Sequence, residues 1–158
     1  MNHRARTARH RWSCERGAEL VEFALVFPTL LLVLGGILDL GLLFQRYEVV
    51  TNAAREGARV SILSGVTALP AYNNGNVTSR VNAYLTAAGL TGTSTVNVGA
   101  VQSVAVGGGH CIKVRQVTVT YDSQLIFLGP IFHLMGGGNT KTIRATSAMR
   151  IEMAAEGC

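Results

Sequence analysis

The chain has 158 residues, 48% of them hydrophobic, and a formal charge of +5; that length suits one domain with a single core, and the apolar share exceeds what a soluble domain of this size needs. Arg4, Arg6, Arg9, Arg11 and Arg16 against Glu15 give the first 17 residues a charge of +4, which leaves +1 for residues 18–158. Outside this leader there is no basic face with which to grip phosphates, so nucleic-acid binding is not expected.

The first predicted element follows the leader. Phe23 to Phe44 reads FALVFPTLLLVLGGILDLGLLF, 22 residues in which Asp39 is the only charge. At ~1.5 Å per residue such a helix crosses a hydrocarbon layer of about 30 Å, and a membrane span is expected over residues 21–44. No small-residue cleavage site follows Phe44, so this is not read as a removed signal peptide. The arginine cluster predicts a single-pass topology with a cytoplasmic N-terminus and residues 45–158 outside. Pro28 lacks an amide donor, and with Gly35 and Gly36 it predicts a span that is kinked or locally opened. Asp39 lies 17 residues beyond Glu22, or ~25 Å along the helix. It is expected to reach the outer headgroups, the alternative being a cation on a neighbouring subunit.

Charge and hydropathy alone describe a simple anchor. The junction Arg16-Gly17-Ala18-Glu19-Leu20-Val21-Glu22-Phe23 adds a glycine that ends the basic leader and a carboxylate just inside the apolar helix. An ionised acid there is costly without a partner, unless it reaches the headgroup interface. This junction resembles the type IV prepilin processing site. The resemblance implies cleavage after Gly17, a new N-terminus at Ala18, and Glu22 before Phe23 as the fifth mature residue, where the α-amino group of an adjacent subunit would neutralise it and fix register.

Arg16-Gly17, Glu22-Phe23-Ala24-Leu25-Val26, Pro28, Gly35-Gly36, Asp39-Leu40-Gly41 and Asn52-Ala53-Ala54-Arg55-Glu56-Gly57-Ala58-Arg59 occur together and in order. Over residues 16–63 the chain thus resembles the TadE-like family, minor pilins or pseudopilins of tight-adherence (Tad/Flp) pili. The implied partners are other pilins and pseudopilins, a prepilin peptidase and the inner-membrane assembly platform. The implied role is pilus assembly and adhesion, from the cytoplasmic (inner) membrane and, after assembly, the pilus.

Past Phe44 the helical pattern continues to residue 63, with Tyr47, Val50, Ala54, Gly57 and Ser61 on one stripe and Glu48, Asn52, Arg55 and Arg59 on another. Ala53, Gly57 and Ser61, spaced by four, predict a close helix contact, either with the protein's own sheet or with a neighbouring subunit. Residues 64–158 are expected to form an exported α+β domain, so the organisation reads as leader (1–17), long helix (18–63) and domain. A loop over Ser64–Asn76 precedes a short helix with Val77, Val81, Leu85 and Ala88 on one face, capped by Thr78 or Ser79 and stopped at Gly89-Leu90.

Strand patterns then take over. Val96, Val98 and Ala100 alternate, Val104 and Val106 follow in the other phase, and Gly107-Gly108-Gly109 turns the chain into Ile112–Tyr121. Phase slips near Val101 and between Val114 and Val117 predict either a bulge in each strand or a sheet covered on both faces. Leu125–Met135 is apolar, interrupted by Gly129-Pro130 and too short to span, and is read as core cover in a buried loop or short helix; exposed Phe127 and Phe132 would instead make a docking patch. From Thr142 onwards alternation is clean, with Ile143, Ala145, Ser147, Met149, Ile151 and Met153 facing the core. Together these elements predict an α+β fold, a long helix extending into a small antiparallel sheet.

A bridge between Cys111 and Cys158 would tie the tail to the sheet in an oxidising compartment, the alternative being two free thiols. His110 and His133 stand alone, and no zinc spacing, phosphate loop or nucleophile elbow is present, so no cofactor and no enzymatic activity are expected. The alternative to a pilus subunit is a ligand-binding or sensor domain on a fixed anchor, with Glu22 incidental.

Overall fold

The computed structural model describes residues 12–63 and 74–151. It has the α+β architecture that the sequence predicts, a long apolar helix followed by a small antiparallel sheet. Helix α1, Trp12–Leu63, begins inside the expected leader and runs 52 residues without a break. It stays helical through Pro28 and through Gly35-Gly36, so the opening expected there does not occur. A second helix, α2 (Asn74–Ala87), crosses its far half. α2 starts at Asn74, ahead of the expected Thr78 or Ser79 cap. Its end is a Schellman stop: Gly89 at φ 79° lets Leu90 N–H donate to Leu85 O at 2.8 Å and Gly89 N–H to Thr86 O at 2.9 Å.

The sheet is built on one long strand. β1 (Ser94–Val98) and β2 (Gln102–Gly107) lie end to end along one edge of β3 (His110–Gln124), and β4 (Thr140–Ile151) pairs antiparallel along the other. Val98 pairs with Val117 and Gln102 with Val114, so the β1–β2 edge spends one residue more than β3 between the same two points. This is the bulge behind the phase slip near Val101, and Gly99 N–H donating to Gln116 O at 2.8 Å holds it. The slip between Val114 and Val117 has another cause. β3 pairs with β4 residue for residue from Lys113 to Gln124, so no bulge falls there; Ile112 and Val114 point to the opposite face from Val117, Val119 and Tyr121.

The core lies where the far half of α1, α2 and one sheet face meet. Val50, Ala53, Ala54 and Ala58 of α1 pack against Val77, Val81 and Leu85 of α2, Val117, Val119 and Tyr121 of β3, and Ile143 and Ala145 of β4. In β4 Ile143, Ala145 and Ile151 are buried and Ser147 and Met149 half-buried, while Thr142, Arg144, Thr146 and Arg150 are exposed, the alternation read from sequence; Met153 lies outside the described residues. A short helix, α3 (Gly129–Leu134), interrupts the β3–β4 connection. The segment around it is not core cover. Ile126, Phe127, Phe132, Leu134 and Met135 are all exposed, and the start of the loop, at Phe127 and Leu128, meets α1 at Gly35 and Gly36.

Candidate membrane anchor and packing site

The near half of α1 has no core to cover. Its most apolar stretch is long enough to cross a membrane yet only 6% buried within the fold, which is not how a soluble protein's core helix sits. Gly17, Ala18, Glu19 and Glu22 are exposed, and Phe23, 62% exposed, stacks on Phe27 with ring centroids 5.1 Å apart. No ion pair among the described residues involves Glu22.

Asp39 departs from the sequence expectation. Rather than reaching the headgroups or awaiting a cation, it is 3% exposed beneath the β3–β4 loop. Its carboxylate accepts three backbone N–H groups, from Ile126 (2.9 Å), Phe127 (3.0 Å) and Leu128 (2.7 Å). Those amides precede α3 and have no intrahelical acceptor, so one acid satisfies a whole turn. Gly35 and Gly36, read as loosening the helix, instead let this loop approach. A Cβ at Gly35 would lie 2.9 Å from Phe127 Cβ, and one at Gly36 3.7 Å from Leu128 Cδ1. Two turns on, Arg46 Nη1 donates to Ser123 Oγ (2.6 Å) and Gln124 O (2.8 Å), fixing the strand end that feeds the same loop. None of these partners leaves a mark in the sequence, because they are mostly backbone groups far away along the chain.

Ala53, Gly57 and Ser61 are all buried. Their stripe meets this chain's own α2 and β3, and a Cβ at Gly57 would lie 2.7 Å from Val81 Cγ2 and 3.2 Å from Val117 Cγ1. Ser61 turns its hydroxyl back onto Ala58 O at 2.7 Å.

Glu56 is the electrostatic tie between the two helices, one that helical spacing did not expose. It accepts from Arg59 Nε at 3.0 Å and Nη2 at 3.1 Å, and from Arg80 of α2 at 3.0 Å. Hydrogen bonds from Arg59 first and Arg80 second hold its carboxyl below the ordinary glutamate value of 4.5. A depressed carboxyl pKa contributes stability that is complete above the ordinary value and lost as pH falls through the folded one. Both arginines are more than half exposed, so screening keeps the gain to a few tenths of a kcal/mol. Glu56→Gln should therefore be slightly less stable at neutral pH and should lose less on acidification below the ordinary glutamate value. Denaturant unfolding at neutral and acidic pH checks this, and parallel losses in the two proteins would refute it.

Cys111, opposite Ala105 on β2, is disulfide-bonded; Cys158, its expected partner, lies outside the described residues. Among the described residues no three His, Cys, Asp or Glu side chains cluster as a metal site would require. A polar cleft is lined by Arg46, Thr93, Tyr121 and Asp122. Its charged groups are committed to the fold, Arg46 as above and Asp122 by accepting from Thr142 Oγ1 at 2.7 Å.

The anchor and the start of the core are also what known proteins share with this chain. Residues 17–59 match the family model described as TadE-like protein, a little over a quarter of the sequence and nearly the segment whose motifs carried the resemblance. No curated protein and no solved structure matches. A family of this kind is pilus-associated and typically structural rather than enzymatic. Over residues 17–59, most of an apolar N-terminal helix fit for membrane anchoring, the chain is similar to TadE-like proteins.

Proposed function

We propose that this chain is a minor pilin or pseudopilin of a Tad (Flp, type IVb-like) pilus, processed after Gly17 and serving assembly and adhesion. The observation that carries this reading is Glu22, an acid without an ionic partner among the described residues, on a bare apolar helix. In lipid such a charge is costly, and a neighbouring subunit's freed α-amino group at Ala18 neutralises it. The bond after Gly17 lies within α1 and must unwind to be cut. Glycine makes that opening cheap, being about 1 kcal/mol less favourable than alanine in a helix interior.

The organisation follows as a leader over 1–17, a retained helix over 18–63 and an extracytoplasmic domain over 64–158, in a single-pass inner-membrane protein with its N-terminus in the cytoplasm. Its partners are other pilins and pseudopilins, the prepilin peptidase and the inner-membrane assembly platform. A ligand-binding sensor on a fixed anchor would retain its leader and would not depend on Glu22.

N-terminal sequencing of membrane-extracted protein is expected to start at Ala18. Glu22→Ala should leave membrane insertion intact while abolishing assembly. A mature chain that keeps residues 1–17 in cells building pili, or normal piliation with Glu22→Ala, would remove the proposal.

A further inference from the structure

The apolar face on the β3–β4 loop is larger than a water-facing loop tolerates, and its position says what covers it. Ile126, Phe127, Ile131, Phe132, Leu134 and Met135 are 38–89% exposed, and His133 is the loop's sole titratable side chain between Leu125 and Asn139. Phe127, Leu128 and Ile131 of the loop line a crevice with Pro28, Leu31, Leu32 and Gly35, residues in the middle of the membrane-crossing stretch, and Phe127 closes on Gly35. Immediately above it the composition reverses. Lys141 and Arg144, both exposed, line a groove with Leu40, Phe44 and Tyr47.

Two aromatic rings and two cations at one height, above an apolar band whose one acid, Asp39, is buried, are the marks of a headgroup boundary. At ~1.5 Å per residue Pro28 lies ~18 Å below Leu40, so the loop covers about the half of the ~30 Å hydrocarbon layer nearer the sheet. We propose that Ile126–Met135 is a second membrane-embedded element, seated against α1 among the acyl chains of the leaflet on the sheet's side, with Lys141 and Arg144 above it on anionic headgroups.

The loop's backbone suits that solvent. Hydrocarbon offers no hydrogen bonds, so non-helical backbone is tolerated there only when satisfied by protein. Asp39 takes the amides of residues 126–128. Leu125 N–H donates to Asn139 O, Phe132 N–H to Leu128 O, Met135 N–H to Ile131 O and Gly137 N–H to Phe132 O. Pro130 has no amide to satisfy. A carboxylate at this depth is accounted for as the loop's acceptor, with no need of a neighbouring cation.

The inference rests on the anchor crossing a membrane, not on the pilus role. Its test places single tryptophans in the full-length chain, on a Trp12→Phe background, in phosphatidylethanolamine and phosphatidylglycerol vesicles with brominated acyl chains. Leu134→Trp replaces the most exposed of the loop's large apolar side chains, at 89%, and so does not threaten folding; Ile131→Trp is the second reporter. Both should be blue-shifted, quenched by the bromines and insensitive to aqueous iodide, as should Leu25→Trp in the span. Asn97→Trp on β1 should respond to iodide alone. Quenching of Leu134→Trp by iodide, or shielding from both quenchers as a second protein chain would give, overturns the proposal. If Leu25→Trp also escapes the bromines, the anchor reading itself has failed.

Discussion

Replacing Asp39 with leucine should release the loop that joins the sheet to the anchor, at a cost of about 3 kcal/mol or more. The side chain is of comparable size, so the loss is not one of packing volume. It comes from the amides of Ile126, Phe127 and Leu128, which lose a shared ionised acceptor at 2.7–3.0 Å. Each buried amide left without a partner costs about 1–3 kcal/mol, and lipid supplies no water to soften it. Asp39→Asn should fall between the two proteins. Its single carbonyl oxygen can serve the pair at Phe127 and Leu128, while its amide nitrogen opposes the N–H of Ile126. Hydrogen exchange on full-length protein in detergent or nanodiscs reads the result directly. Amides 126–128 and Phe132 should lose protection in Asp39→Leu while the β3–β4 ladder at Val117–Tyr121 keeps most of its own. Unchanged protection at 126–128 would mean that Asp39 does not hold the loop.

Asp39 and Arg46 act as a clamp. They are seven residues apart, two turns on one helix face, and grip consecutive stretches of the chain: Ser123 and Gln124 through the guanidinium, 126–128 through the carboxylate. With β4 packed on the same helix, the sheet is joined to α1 over a stretch that starts within the apolar span and continues past it. The domain is thus not hung from the anchor by a flexible stalk, and a force drawing the helix out of a bilayer would move the sheet with it.

How much of this was legible in the sequence depends on where each residue finds its partner. Elements whose partners are near in sequence, or whose pattern is set by one buried face, could be read: α1 beyond the span, the Val77–Val81–Leu85 face of α2, the Gly89-Leu90 stop and the alternation of β4. The phase slip near Val101 did mark a bulge, whereas the one at Val114–Val117 marked only a change of face, since alternation registers both in the same way. The Leu125–Met135 run misled because a lipid-facing residue and a core residue are the same amino acid; only its height along α1 separates the two cases. Gly35 and Gly36 carried the same ambiguity between a loosened helix and a tight contact. Asp39 was least legible of all. Its partners are three backbone amides 87 to 89 residues away, and every residue but proline carries an amide.

Gly57→Ala should destabilise the fold, although on an exposed helix the same change is worth about 1 kcal/mol in the other direction. The new Cβ would stand 2.7 Å from Val81 Cγ2, 3.2 Å from Val117 Cγ1 and 3.5 Å from Val77 Cγ1. All three valines are fully buried and stiff at χ1, so no side-chain end can swing aside, and α2 or β3 must shift as a body. Overpacking of this kind costs about 1–3 kcal/mol, enough to outweigh the gain in helix propensity. Gly57→Leu should separate α1 from α2 and prevent folding of the domain. The contact is identified by its rescue. Val81→Ala opens a cavity alone and Gly57→Ala a clash alone, so the double variant should be more stable than their sum by about 0.5–3 kcal/mol, a coupling that denaturant unfolding of the four proteins measures. Additive losses, or a Gly57→Ala protein as stable as the parent, would mean that Gly57 does not meet Val81. The outcome also bears on the proposed assembly: if this stripe is saturated by the chain's own α2 and β3, a neighbouring subunit would have to dock on the part of α1 below Asp39 that the β3–β4 loop leaves uncovered or on the outer face of the sheet, not at Ala53, Gly57 and Ser61.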